Sequence, residues 1–298
     1  FMPSLKIDKK SLRELMQFAR GMFGLPILAM ISFQTDIMVL GKMIPKEYLG
    51  MYSLAAMLAY TPVEWFTHII NPVLLPAFAQ KQDNRKSLCQ AVLKVTRTTA
   101  IFGMPLIAFM VVCASSILLV VYGHTYVAVA APFAVLCLNI LLRTQGVVLF
   151  STYLAVGQPG LHRRFVLLRS LILVGLIYPA ILYFGLLGAA AAVFVSGFIA
   201  FVMQVFWCRR IIDLKFGSYV HCYIPGLLLS APVVAVVVTL LSIGIKSPAA
   251  VLFSGIAVLL AALLAGLYIL HRQEGLFTLK ERAVCRGSYV PLVGLKSA

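Results

Sequence analysis

The chain has 298 residues, of which 62% are hydrophobic and 11% charged, against roughly half and a quarter in a soluble domain. That composition excludes a soluble fold, and with it a dinucleotide-binding enzyme, a disulfide-rich secreted domain and a disordered chain. The formal net charge of +16 then reads as basic loops beside a bilayer, and no nucleic-acid partner is expected.

In chain order, residues 1–20 are basic and amphipathic, without the short apolar core or cleavage site of a signal peptide. Within them, residues 11–20 set Leu against Arg, as in an interfacial helix. A membrane span needs about 20 apolar residues. Such stretches fall at 21–44, 48–77, 99–122, 126–156, 165–184, 187–208, 224–245 and 249–271. The fold class expected is therefore all-α, a polytopic membrane bundle of about eight transmembrane helices. The short connections at 123–125 and 185–186 require antiparallel hairpins. Residues 84–98 read as a second interfacial helix, and residues 272–298 as a short basic tail.

Loop charges set an orientation. Lys6, Lys9, Lys10, Arg13 and Arg20 fall on one side, as do Lys81, Arg85, Lys86, Lys94 and Arg97. The same side receives Arg163, Arg164, Arg209, Arg210, Lys215 and the tail's basic residues, against Lys42, Lys46 and Lys246 on the other. The excess places both termini in the cytoplasm.

Charges at bilayer depth cost about 2.5–3.5 kcal/mol each on insertion scales, so each requires a reason. Asp36 lies within the first span, beside Gln34. Glu64 lies near the middle of the second, with His68 four residues on. Arg143 lies near the midplane of the fourth, with Asn139 one turn before it and Gln145 beside it. Arg169 lies inside the fifth and Gln204 deep in the sixth. One reading is a wet cavity lined by these groups and reaching toward the cytoplasm. The other is pairing of Asp36 or Glu64 with Arg143, and Arg169 could instead snorkel to the interface. Pro62, Pro72 and Pro76 should kink or interrupt the second span. None of the six cysteines forms a CxxC pair, and Glu64 with His68 is too few for a metal site. No nucleophile elbow, phosphate loop or zinc-protease motif occurs, so no catalytic residue, metal or cofactor is expected.

Thr35-Asp36-Ile37-Met38-Val39-Leu40-Gly41 and Tyr48-Leu49-Gly50-Met51-Tyr52-Ser53-Leu54-Ala55 resemble the opening of the second half of polysaccharide flippases. Pro72 to Pro76, followed by the polar 80–85 stretch, is similar to the next element. Val121-Tyr122-Gly123-His124-Thr125-Tyr126, Tyr153-Leu154-Ala155-Val156-Gly157-Gln158 and Gly185-Leu186-Leu187-Gly188-Ala189-Ala190 continue the likeness. The chain thus resembles the polysaccharide transporter branch (O-antigen and exopolysaccharide repeat-unit flippases) of the multidrug/oligosaccharidyl-lipid/polysaccharide exporter superfamily.

The resemblance implies a C-terminal lobe with its final helix pair. Residues 1–20 would be a cytoplasmic segment, 21–212 a six-helix lobe, 213–271 an added pair and 272–298 a cytoplasmic tail. The first six spans would be absent, so the chain would be a fragment or would pair with another lobe or a second copy. The cargo implied is a polyprenyl-diphosphate-linked oligosaccharide crossing the bacterial inner membrane for O-antigen or exopolysaccharide assembly, with polysaccharide polymerase machinery as a further partner. Arg143, Arg169, Asn139 and Gln145 would bind it. Asp36 and Glu64 would be coupling or cavity-lining acids, and Gln34 and His68 would line the cavity. The competing readings are export of another amphipathic cargo, a membrane acyl- or glycosyltransferase, and a non-transporting scaffold.

Overall fold

A computed structural model describes Met16 and residues 24–243 and 247–273. The 11–20 interfacial segment (Met16 apart) and the tail beyond residue 273 lie outside the described residues. Helices α1 (Leu25–Met43), α2 (Lys46–Ala79), α3 (Arg85–Val112) and α4 (Ala114–Tyr122) come first. A 3-10 segment (His124–Val129) leads into α5 (Ala130–Ala155) and then α6 (Pro159–Ile212). The short α7 (Phe216–His221) precedes α8 (Ile224–Ser242) and α9 (Pro248–Gln273).

Helix ends follow local chemistry. Gly24, at φ 80°, precedes α1, whose first turn accepts Pro26 because those amides have no intrahelical partner anyway. The Asn84 carboxamide accepts from the amides of Lys86 and Ser87 and caps α3. Between α5 and α6, Gly157 at φ 73° and Pro159 turn the chain.

The 54-residue α6 is two antiparallel arms (159–184 and 186–212) that meet at Gly185, where φ 55° and ψ −132° break the helix. The reversal is tight: a Cβ on Gly188 would run into the carbonyl of Ala180, eight residues earlier. Small residues let the arms approach this closely.

Five apolar helical stretches are long enough to cross a membrane, and the α6 stretch supplies two passes. The other two expected passes are α1 and α2, whose hydropathy is lowered by Gln34, Asp36, Glu64 and His68.

Three expectations are corrected. Residues 84–98 are not a separate surface helix. They open α3, and Leu88, Cys89, Val92 and Leu93 are buried against Leu74, Phe78, Tyr153 and Phe165. An amphipathic face that finds protein need not lie on a membrane. Second, Pro62, Pro72 and Pro76 do not interrupt α2, which stays helical through all three. Third, the third span divides at Cys113 into α3 and α4.

Two apolar cores fill the bundle. One, around Tyr52, Phe133, Leu136 and Val193, lies toward the end where α1 meets α2. The other, around Phe78, Tyr153 and Cys208, lies toward the arginine-rich end. There Arg85 and Asp213 form a 3.6 Å ion pair that ties the start of α3 to the end of α6. The pair α8–α9 packs on α3, where Gly226 meets the Ala100 carbonyl and Gly266 meets Ile101.

Candidate functional site

A cavity of about 590 Å³ opens among α1, α2, α5 and both arms of α6. It occupies the half of the bundle nearer the arginine-rich end. Each wall is a helical stripe of spacing three or four: Asn139, Arg143, Gly146 and Phe150 on α5; His162, Phe165 and Arg169 on the first arm of α6; Gly197, Ala200 and Gln204 on the second. Ser32 and Phe33 come from α1, and Glu64 and Thr67 from α2.

Arg143 and Arg169 converge on one ring. The guanidinium carbon of Arg143 is 4.3 Å from the Phe33 centroid and that of Arg169 4.9 Å. Arg143 also lies 4.5 Å from the Tyr60 ring. A desolvated cation over a ring face gains about 2 kcal/mol, so the aromatics hold both cations with their N–H groups still to be used. Arg143 has a long 3.6 Å contact to Glu64, whose side chain is 56% exposed. Glu64 is the one acid among the described lining residues, against two arginines.

Hydrogen bonds between helices hold the frame. Ser32 and Ser170 share a 2.7 Å hydroxyl pair between α1 and α6. Ser151 donates to Asn71 at 3.0 Å between α5 and α2, and the Tyr153 hydroxyl donates to the Gln204 carbonyl. Bonds of this kind contribute roughly 0.6 kcal/mol each in membranes.

The structure brings Arg143, Arg169, Asn139 and Glu64 into one cavity. Asn139 is fully buried and its Nδ2 donates to the Tyr60 hydroxyl at 3.4 Å. Gln145 stands elsewhere: two residues past Arg143 it faces the other side of α5 and donates to Thr99 on α3 at 2.9 Å. Asp36 is buried behind the cavity and accepts from the Tyr52 hydroxyl at 3.0 Å. Of the two pairings considered, Arg143 meets Glu64, at 3.6 Å, and Asp36 is held by Tyr52 instead. Gln34 and His68 are exposed and outside the cavity wall.

Gln204, one of the groups expected around a cavity, does line it, whereas Phe33 and Tyr60 were not expected at the site. The available signal was their register, since Phe33 falls four residues past Ala29 on the α1 stripe.

The molecule is thus a multi-pass membrane protein, all-helical among the described residues, with a basic and aromatic cavity, and its bundle shares the fold of a solved flippase. It matches the structure of the lipid II flippase MurJ in an inward closed conformation, with TM-score 0.69 and 15% identity over 83% of this chain and 52% of that one. The "Polysaccharide biosynthesis protein" family profile matches residues 1–131. Among curated relatives, the amylovoran biosynthesis protein AmsL of Erwinia amylovora is 26% identical over 227 residues, 74% of this chain and 58% of that protein. The succinoglycan biosynthesis transport protein ExoT of Rhizobium meliloti is 27% identical over 187 residues, 61% of this chain and 37% of that one. The chain is a relative of polysaccharide biosynthesis and transport proteins, as its motifs suggested, and it spans only part of their length.

Proposed function

We propose that the chain is one lobe of a flippase that carries a polyprenyl-diphosphate-linked oligosaccharide across the bacterial inner membrane for O-antigen or exopolysaccharide assembly. The carrying observation is the convergence of Arg143 and Arg169 on Phe33 inside a cavity with one acid among its described lining residues. A diphosphate and its sugars cannot enter hydrocarbon unaided, because a buried charge without partners is very costly. Guanidinium groups match phosphate oxygens in a fork, and both arginines retain donors for that purpose. The lipid tail stays in the bilayer beside the cavity.

In this reading the arginine-rich end and both termini are cytoplasmic, so the cavity loads from the inner leaflet. Residues 21–212 form the transporting lobe and 213–271 an added helix pair. A second lobe, or a second copy, completes the pathway, and rocking between the two halves gives alternating access. Polysaccharide polymerase machinery receives the product. Asp36 and Glu64 serve as coupling or cavity acids.

Reconstituted vesicles and a fluorescent polyprenyl-diphosphate glycan test the proposal. Arg143→Ala should weaken cargo binding at least about tenfold, as loss of a hydrogen bond to a charged group does, with Arg143→Lys intermediate. Unchanged binding and transport at equal protein levels would reject it.

A further inference from the structure

The cavity wall formed by α5 and the second arm of α6 carries two amide–glycine pairs a heptad apart. Asn139 of α5 faces Gly197 of α6, where a Cβ would lie 2.7 Å from the Asn139 Oδ1. Seven residues on in both helices, Gln204 of α6 faces Gly146 of α5, where a Cβ would lie 3.7 Å from the Gln204 Oε1. Gly197 makes room for the Asn139 amide, while a Cβ on Gly146 would meet Gln204 at ordinary contact distance.

Both side chains are at least nine-tenths buried and both line the cavity. Yet Asn139 Oδ1 and Gln204 Oε1 have no hydrogen-bond partner among the described residues, and neither does His162 Nδ1 on the facing wall. Buried polar groups are almost always paired, and one left unpaired costs about 1–3 kcal/mol. Two carbonyl oxygens can be satisfied only by donors. The arginines opposite offer only donors, and so ask for an acceptor.

A bare anion would satisfy the arginines and leave the amides orphaned; a neutral sugar would do the reverse. The ligand that satisfies both is an anion with hydroxyl donors attached. At about 590 Å³ the cavity has the size of a pocket for one small ligand, which suits a phosphate and its adjoining sugar rather than a whole oligosaccharide.

Resting on the flippase reading above, we propose that Asn139 and Gln204 are a sugar-reading subsite: they accept hydrogen bonds from the hydroxyls next to the cargo's phosphate and set the preference for glycosylated over bare lipid diphosphate. Gly197 keeps the subsite open, since a side chain there would collide with Asn139.

The test uses the full chain in lipid nanodiscs and three probes: farnesyl diphosphate, the same lipid carrying one glucose, and the same lipid carrying a hydroxyl-free cyclohexyl group. The wild-type chain should bind the glucosyl lipid about tenfold more tightly than the other two, two hydrogen bonds being worth that factor. The Asn139→Leu/Gln204→Leu variant should bind all three alike, at the affinity of the bare lipid. The wild-type comparison needs no variant and therefore stands even if the variant fails to fold. Equal wild-type binding of all three probes would overturn the subsite and leave the arginine site intact. Retention of the glucose preference by the double variant would also overturn it. Failure of the wild-type chain to bind any probe would overturn both readings.

Discussion

Glu64→Gln separates a wet cavity from a dry ion pair. At 3.6 Å from Arg143, Coulomb's law with an effective dielectric constant of about 20 gives about 5 kcal/mol. The Glu64 side chain is 56% exposed. If that exposure is to water, screening reduces the pair to the 0–1 kcal/mol typical of exposed bridges. Glu64→Gln should then change unfolding free energy in bicelles by less than about 1 kcal/mol. It removes the one negative charge among the described lining residues, so affinity for farnesyl diphosphate should rise several-fold, and the gain should shrink at high salt. If the carboxylate instead lay against acyl chains, removing it would strand Arg143 in a dry interior. A loss of about 3–5 kcal/mol with weaker anion binding would refute the reasoning.

Tyr52→Phe should cost about 1.5–3 kcal/mol, because it leaves the buried Asp36 carboxyl without its 3.0 Å donor. Adding Asp36→Leu should cost less than the sum of the single changes, which a double-mutant unfolding cycle reads directly. Gly188→Leu should prevent the α6 hairpin from closing, since even a Cβ there collides with the Ala180 carbonyl; loss of folded protein on size exclusion checks it. Gly226→Leu should unseat α8 from Ala100 of α3 while cavity ligand binding survives, measured as a lower melting temperature with unchanged farnesyl diphosphate affinity. Phe33→Leu should weaken that affinity about tenfold by releasing both guanidiniums from their shared ring.

Much of the bundle was legible because bilayer thickness and hydropathy act on whole segments. Positions on one α5 stripe were legible too: Asn139 and Arg143 are four residues apart and do share a wall. Gln145 was grouped with them by proximity in sequence, although two residues of helix turn it to α3. Gln34 failed for the same reason, one residue past Phe33. The 84–98 segment misled because amphipathicity identifies an apolar face without saying whether protein or lipid covers it. The prolines of α2 do not interrupt it because a missing donor weakens a helix locally, while packing along its length holds it. The aromatic clamp was hidden because a phenylalanine in an apolar span carries no signal until its neighbours are placed.

The central claim is that a water-filled cavity inside the bundle holds an anionic head group between Arg143 and Arg169. Val147, on its wall, tests this as Val147→Cys, with Leu171→Cys on the exposed outer face of α6 as the lipid-facing control. A charged, membrane-impermeant thiol reagent applied from the arginine-rich side should modify Val147→Cys rapidly, leave Leu171→Cys untouched, and be slowed by farnesyl diphosphate bearing glucose. Equal inertness of the two cysteines, or labelling that the lipid does not slow, would contradict the account.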